Sequence, residues 1–166
     1  KAQGGAGYPN LTTPSWLWGG DPAAIAETVR VGINSPHKDS RTSQMPAFGR
    51  GGVLKKDEVE NVVNYVRSFS DPASGKEVSA AKIEAGKAVF AANCVACHGD
   101  DAKGNSYVGA PNLTDKFWVY GGDRETVLTS IWGGRQGHMP AWETRLSPLD
   151  RKILALYLFD LRRAEP

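Results

Sequence analysis

The chain contains the stretch Cys94-Val95-Ala96-Cys97-His98, which holds the only two cysteines among its 166 residues. In a C-x-x-C-H pattern the two thiols stand three positions apart, and each can bond one vinyl group of a single porphyrin. The histidine that follows them can bind the iron from the proximal side. The spacing therefore predicts covalent attachment of haem c at Cys94 and Cys97, with His98 as the proximal iron ligand.

Other interpretations of this stretch explain less of it. A structural zinc site needs four ligands, and no second cysteine pair exists to complete one. A thioredoxin-like redox pair does not require His98 and belongs to an α/β pattern that is absent here. A disulfide between residues this close in sequence closes too small a loop to stabilise much. Two buried thiols beside a surface histidine stay open as the alternative to haem.

The composition is that of a globular protein, with 40% hydrophobic residues and a net charge of +2. The near balance of charge and the lack of a basic run argue against nucleic acid as a partner. No apolar run approaches the length of a membrane span, and no signal peptide is visible. Because covalent haem is attached outside the cytoplasm, we expect a periplasmic location. The chain begins with Lys1 rather than Met, so we expect a processed or excised polypeptide.

The chain repeats itself, and the repeat decides its organisation. Two segments recur at one offset, and a third recurs at an offset smaller by eight, so the first copy carries an insertion of eight residues around 35–42. The matched segments are Pro9-Asn10-Leu11-Thr12 with Pro111-Asn112-Leu113-Thr114, Trp16–Asp21 with Trp118–Asp123, and Met45-Pro46-Ala47-Phe48 with Met139-Pro140-Ala141-Trp142.

Helical signals appear at matching places in both copies. Asp21, followed by Pro22, and Asp123 are typical helix N-caps. The segment from Ser147 to Asp150 is typical of the start of a helix. Apolar stripes mark a strong last helix in each copy, with Tyr65 matching Tyr157. No stretch alternates with period two. The sequence predicts an all-α fold of two tandem cytochrome c-like units, 1–70 and 81–166, joined by a linker at 71–80.

Gly86 and Phe90 lie on the helix that leads into the haem motif. We expect this helix to cross the last helix of the same unit, against Leu154 and Tyr157, because glycine lets two backbones approach closely.

The sixth iron ligand must come from elsewhere in the chain. Met45 and Met139 are its only two methionines, and each stands before Pro-Ala-aromatic in a polar, glycine-containing loop. A thioether is a soft ligand that favours ferrous iron and raises the reduction potential. Both methionines are therefore axial ligand candidates, one per haem. His138 is the rival ligand, although a solvated loop histidine is favoured there, and His37 is expected to be exposed in the insertion.

With these segments the chain resembles subunit III, the dihaem c-type cytochrome subunit, of cbb3-type cytochrome c oxidases. The resemblance covers the whole chain and rests on the haem motif, the paired Pro-Asn-Leu-Thr segments, the tryptophan-rich segments and the Met-Pro-Ala segments. It implies that electrons pass from a soluble or membrane cytochrome c, or from the bc1 complex, toward the oxygen-reducing subunit. It also implies catalytic and monohaem subunits as partners, and a site on the periplasmic side of the bacterial inner membrane.

One departure from the family is sharp. The family carries two C-x-x-C-H motifs, whereas the first copy here has none, and the repeat register puts the missing motif just upstream of Lys1. We expect a first unit truncated at its N-terminus, without its first helix, its haem and the family's transmembrane anchor. One haem c is then attached in this chain and a second is expected in the intact parent. The stripe of the Val59–Phe69 helix is expected to be uncovered as a result.

Two questions of function stay open. The resemblance implies that the axial methionines may be exchanged, so that Met45 serves the haem of His98, whereas the residues alone favour Met139 from the same unit. The alternative functions are a freestanding dihaem carrier of the c4 kind and a dihaem peroxidase. The chain itself is interpreted as an electron-transfer subunit that is part of a cytochrome c oxidase complex, and whether it is an enzyme stays open.

Overall fold

The computed structural model describes residues 2–71 and 78–162, and this part of the chain is helical with no strand. The predicted linker at 71–80 falls mostly outside the described residues. Six helices occur in the described ranges: α1 Pro22–Val31, α2 Lys56–Ser70, α3 Ala80–Asn93, α4 Val95–His98, α5 Arg124–Gly133 and α6 Pro148–Leu161. No helix in these ranges has the length and apolar character that crossing a bilayer requires. The predicted all-α class is confirmed.

The helices begin where the sequence predicts. The Asp21 carboxylate accepts hydrogen bonds from the backbone amides of Ala23 and Ala24, and proline occupies the first helical position. Asp123 caps α5 by accepting from the Thr126 amide. Ser147 and Asp150 form a reciprocal capping box at α6. These local bonds satisfy backbone donors that have no partner within the helix.

The larger core joins α2 to α3 and α5. Val62 and Val63 of α2 are fully buried. A Cβ on Gly86 would overlap the Asn61 carbonyl oxygen and lie 2.8 Å from the Tyr65 Cβ, so glycine is what permits α2 and α3 to touch. Tyr65, Phe69 and Phe90 meet edge to face beside this crossing, with ring centroids 4.7–5.8 Å apart.

The expected crossing of the Gly86 helix with the last helix is wrong. α3 packs mainly on α2, the last helix of the other copy, while α6 packs on α1. The expectation of an uncovered Val59–Phe69 stripe is wrong for the same reason, because α3 covers it. An apolar stripe in the sequence shows which face is buried, but it does not show which copy of a repeat supplies the partner.

The exposed apolar face lies instead on α6. Ile153 and Tyr157 are each 57% exposed, and Leu149 and Leu156 are exposed beside them. These residues are spaced along one side of the helix. Its opposite side contributes Ala155 and Leu158 to the smaller core, where they meet Ile25 of α1.

Isolated backbone bridges connect the two copies. Met45 and Arg135 donate backbone hydrogen bonds to each other's carbonyls at 2.9 and 3.0 Å. Ile33 and Met139 do the same, both at 2.9 Å. Each methionine therefore pairs with a residue just past the end of a helix in the other copy.

Candidate haem site

The C-x-x-C-H stretch forms its own turn of helix. Cys94 ends α3, and α4 then runs from Val95 to His98. The carbonyl of Cys94 accepts from the amides of Cys97 and His98 at 3.2 and 2.9 Å. Gly99 ends the turn with φ of 78°, in the left-handed region that glycine adopts without strain. Both thiols and the imidazole are thus carried by one short, hydrogen-bonded segment.

His98 is buried, with 9% of its surface exposed. Its Nδ1 lies 3.0 Å from the Pro111 carbonyl oxygen, which can only accept, so Nδ1 carries the proton. Burial lowers the pKa of His98, and the bond to Pro111 opposes that shift. The ring is consequently neutral near pH 7, with the lone pair on Nε2. This tautomer is the one that a metal-binding histidine needs.

The two thiols differ in exposure. Cys94 is half-buried and Cys97 is exposed, and both are free. Burial, with a smaller contribution from Cys97, raises the pKa of the Cys94 thiol to about 11. Within residues 2–71 and 78–162, no three His, Cys, Asp or Glu side chains are grouped to hold a metal ion.

The loop that follows the motif returns to the histidine. Leu113 is buried in the larger core, and its amide donates to the Ala102 carbonyl at 2.8 Å. Asn112 accepts from the backbone amide and the hydroxyl of Thr114, which fixes a local turn. This turn holds the Pro111 carbonyl in place for His98.

The larger core borders the motif with apolar side chains. Cys94 and Val95 pack against it, as do Met45 and Phe48 of the first copy. The residues present therefore fit a covalent haem: two free thiols, a neutral imidazole with Nε2 available, and a thioether within the same cluster.

The remaining predicted residues are elsewhere. Met139 is half-buried, and its backbone pairs with Ile33 after α1. His138 is exposed, as expected of a solvated loop histidine. The expectation that His37 is exposed is wrong, because its side chain is only 12% exposed. Its Nε2 lies 2.8 Å from a carboxylate oxygen of Glu143, which also binds Arg30.

The structure adds residues that the sequence reading did not single out. A Cβ at Gly134 would lie 2.5 Å from the Met45 carbonyl oxygen, and one at Gly32 would overlap that of Met139. Arg41 donates from Nε to the Thr28 hydroxyl of α1, and its guanidinium lies over the Trp18 ring. Arg135 donates in the same way to the Ser130 hydroxyl of α5 and lies over the Tyr120 ring. The signal was present in the repeat, since Gly32 matches Gly134 and Arg41 matches Arg135. By these matches the eight inserted residues are 33–40, rather than those around 35–42.

Comparison with known proteins indicates the family of the chain. Residues 81–158 match the model of the family described as cytochrome c oxidase, cbb3-type, subunit III. The chain is 51% identical over 160 residues to cbb3-type cytochrome c oxidase subunit FixP of Bradyrhizobium sp. (strain ORS 278), which covers 96% of this chain and 54% of that protein. It is 45% identical over 165 residues to cbb3-type cytochrome c oxidase subunit CcoP of Cereibacter sphaeroides, and the match covers 99% of this chain and 56% of that protein.

The chain spans about half the length of the curated relatives it matches. The resemblance expected from the paired segments is confirmed by these similarities.

Proposed function

Since residues 81–158 belong to the family of subunit III of cbb3-type cytochrome c oxidases, we propose that the chain passes single electrons from a periplasmic cytochrome or a bc1 complex toward the oxygen-reducing subunit of such an oxidase. Its cofactor is haem c, and its chemistry is haem-based electron transfer. The proposed partners are the catalytic and monohaem subunits of the oxidase. The proposed location is the periplasmic side of the bacterial inner membrane.

In this proposal each residue of the motif has one task. When bound, haem c supplies a one-electron couple at its iron. Cys94 and Cys97 hold the group covalently, and His98 binds the iron through Nε2. The bond from His98 Nδ1 to the Pro111 carbonyl fixes the ring orientation and increases the basicity of Nε2. The apolar core beside the motif keeps water away, which favours a stable one-electron carrier over ligand exchange.

We assign the sixth ligand to Met45, and this is the exchanged arrangement. The observation that carries it is the packing of Met45 against the larger core, against which Cys94 also packs, together with its two backbone bonds to Arg135. Met139, paired with Ile33, is then assigned to the haem of the first unit. A thioether ligand from Met45 would favour ferrous iron, as suits an electron carrier.

The test is to replace each methionine in the haem-loaded protein and record the Met–iron charge-transfer band of the haem bound at Cys94. We expect Met45→Ala to lose the band and Met139→Ala to retain it. The reverse result would exclude the exchanged arrangement in favour of ligation within one unit.

The exposed face of α6 supports the proposal of tandem units with the first one truncated. Ile153 and Tyr157 occupy the repeat positions of Asn61 and Tyr65, which α3 covers through Gly86. A helix equivalent to α3, upstream of Lys1, would cover α6 in the same way. The greater length of the relatives leaves room for that helix, a first haem and a membrane anchor. Intact mass of the longer parent polypeptide tests this, with two haems per chain as the expected result.

The alternative of a dihaem peroxidase requires an open iron position. The packing of Met45 against the same larger core as Cys94 favours a closed one. Rapid mixing of the reduced, haem-loaded chain with hydrogen peroxide discriminates between them. A carrier reacts slowly and keeps six-coordinate spectra in both oxidation states, whereas fast oxidation would support the peroxidase.

A freestanding carrier of the c4 kind is distinguished by whether the parent copurifies with oxidase subunits.

A further inference from the structure

We propose that Asn34 is a positioning residue that ties together the two loop segments carrying Met45 and Met139. Its side-chain amide donates from Nδ2 to the carbonyl oxygens of Ser43 and Gly137, at 2.8 and 2.7 Å. Its Oδ1 accepts from the Ser43 backbone amide at 3.1 Å. Ser43 and Gly137 each stand two residues before a methionine. One side chain therefore holds the approach to both Met45 and Met139.

The amide orientation follows from its partners. Two of the three partner atoms are carbonyl oxygens, which require the NH2 group, and the third is a backbone N–H, which requires the oxygen. Both amide hydrogens and the oxygen are thereby used. A carboxylate of the same shape at this position would lose both donors and would face two carbonyl oxygens with a negative charge.

The backbone at Asn34 is arranged for this contact. Its φ of 49° lies in the left-handed region, which asparagine adopts more readily than most residues. Its amide donates to the Arg41 carbonyl at 2.7 Å, and the preceding residue, Ile33, is the one that pairs with Met139. The Asn34 side chain thus extends from the backbone bridge of Ile33 and Met139 to the loop segment that leads to Met45.

The repeat shows that this tie exists only once. Asn34 belongs to the eight inserted residues 33–40, and in the second copy Gly134 is followed directly by Arg135. The insertion is itself anchored, because its His37 binds the Glu143 carboxylate at 2.8 Å and its Asp39 accepts from Arg30 of α1 at 3.3 Å. A single inserted segment therefore contacts the loop segments of both methionines. Loss of the Asn34 side-chain amide should loosen the Met45–iron bond.

This inference rests on the proposed ligation by Met45, so the experiment separates the two. Imidazole competes with methionine for the sixth position of the iron, and its rate of displacement in the haem-loaded protein reports how firmly Met45 is held. We expect both variants to raise that rate about tenfold, because Asn34→Ala loses three side-chain hydrogen bonds and Asn34→Asp loses the two that Nδ2 donates. Asn105→Ala is the matched control, since it removes one asparagine bond, to the Tyr107 amide, in neither methionine loop segment.

The outcomes are distinct. If Met45→Ala keeps the charge-transfer band, the proposed ligation fails, and the inference about Asn34 fails with it. If Met45→Ala loses the band but both Asn34 variants behave like Asn105→Ala, ligation stands and the positioning role is overturned. A lowered Tm with an unchanged displacement rate also overturns it, because that is the effect of a merely structural residue. Asn34→Asp covers the case in which Asn34→Ala does not fold.

Discussion

Met45 and Arg135, from different copies of the repeat, form a two-residue antiparallel bridge with backbone hydrogen bonds of 2.9 and 3.0 Å. Gly134 makes this contact possible, because any side chain there would meet the Met45 carbonyl oxygen. Ile33, Gly32 and Met139 repeat the arrangement on the other side of the molecule. The identity of the residue after a helix thus controls the position of a methionine that is remote in sequence.

We expect Gly134→Ala to destabilise the protein by about 2 kcal/mol or more and to weaken the charge-transfer band. Its φ of 72° costs a residue with a Cβ roughly 1–2 kcal/mol, and the methyl would also press on the Met45 loop segment. Gly133→Ala is the control, since a Cβ there has no neighbour within 4 Å. Thermal unfolding and the absorption spectrum of both variants provide the measurement. Equal stability of the two variants would contradict the role assigned to Gly134.

Gly86→Ala should destabilise the crossing of α2 and α3 by about 1–3 kcal/mol, as overpacking of a close helix contact does. The added methyl would overlap the Asn61 carbonyl oxygen, which belongs to the helix backbone and cannot rotate away. Lys87→Ala, at the next and exposed position, is expected to change stability by less than about 0.5 kcal/mol. Denaturant unfolding compares the two, and a silent Gly86→Ala would contradict the described crossing.

The effect of Ile153→Ala should depend on the length of the polypeptide. In the chain that begins at Lys1 this side chain is 57% exposed, so we expect a change below about 0.5 kcal/mol. In the longer parent, where a further helix is proposed to cover α6, truncation should cost about 2–4 kcal/mol. Lys152→Ala, on the same helix, should change stability by the same amount in the chain that begins at Lys1 and in the longer parent. A uniformly small effect of Ile153→Ala would argue against a covering helix.

Glu143→Gln should remove an acid-sensitive contribution to stability. His37, and then Arg30, hold the pKa of Glu143 below its ordinary value of 4.5. A carboxylate with a lowered folded pKa stabilises the protein fully above the unfolded value, and this contribution is lost as the pH falls through the folded value. The Tm difference between the wild type and Glu143→Gln should therefore be largest near pH 6 and should shrink below pH 4.5.

The control for this pH series is Glu60→Gln on α2, a carboxylate outside the network around Arg30. Its Tm difference from the wild type should not follow the Glu143→Gln curve. A Glu143→Gln difference that stays constant from pH 6 to pH 3 would show that the carboxylate charge contributes nothing through these partners.

The local features of the fold could be predicted from the sequence, because their causes are local. Asp21, Asp123 and Ser147 cap helices through neighbouring amides, so their roles follow from spacing alone. The confinement of both thiols and the imidazole to one turn likewise follows from the C-x-x-C-H spacing.

The partners of the helices could not be predicted in the same way. In a tandem repeat, the apolar stripe on α2 is equally suited to the first helix of either copy, and only the tertiary structure chooses α3. The bonds of Asn34 and the burial of His37 depend on an insertion with no counterpart in the second copy. Periodicity carries no information about where such a segment folds back.

The pairing of α2 with α3, and of α1 with α6, has a consequence for how the chain folds. The boundary drawn by the repeat, near residues 71–80, does not divide the chain into two independent folding units, because each core draws helices from both sides of it. Contacts that join distant parts of the chain slow folding and make unfolding cooperative. Either half expressed alone would present an open apolar face, so the two halves gain a stable structure only together.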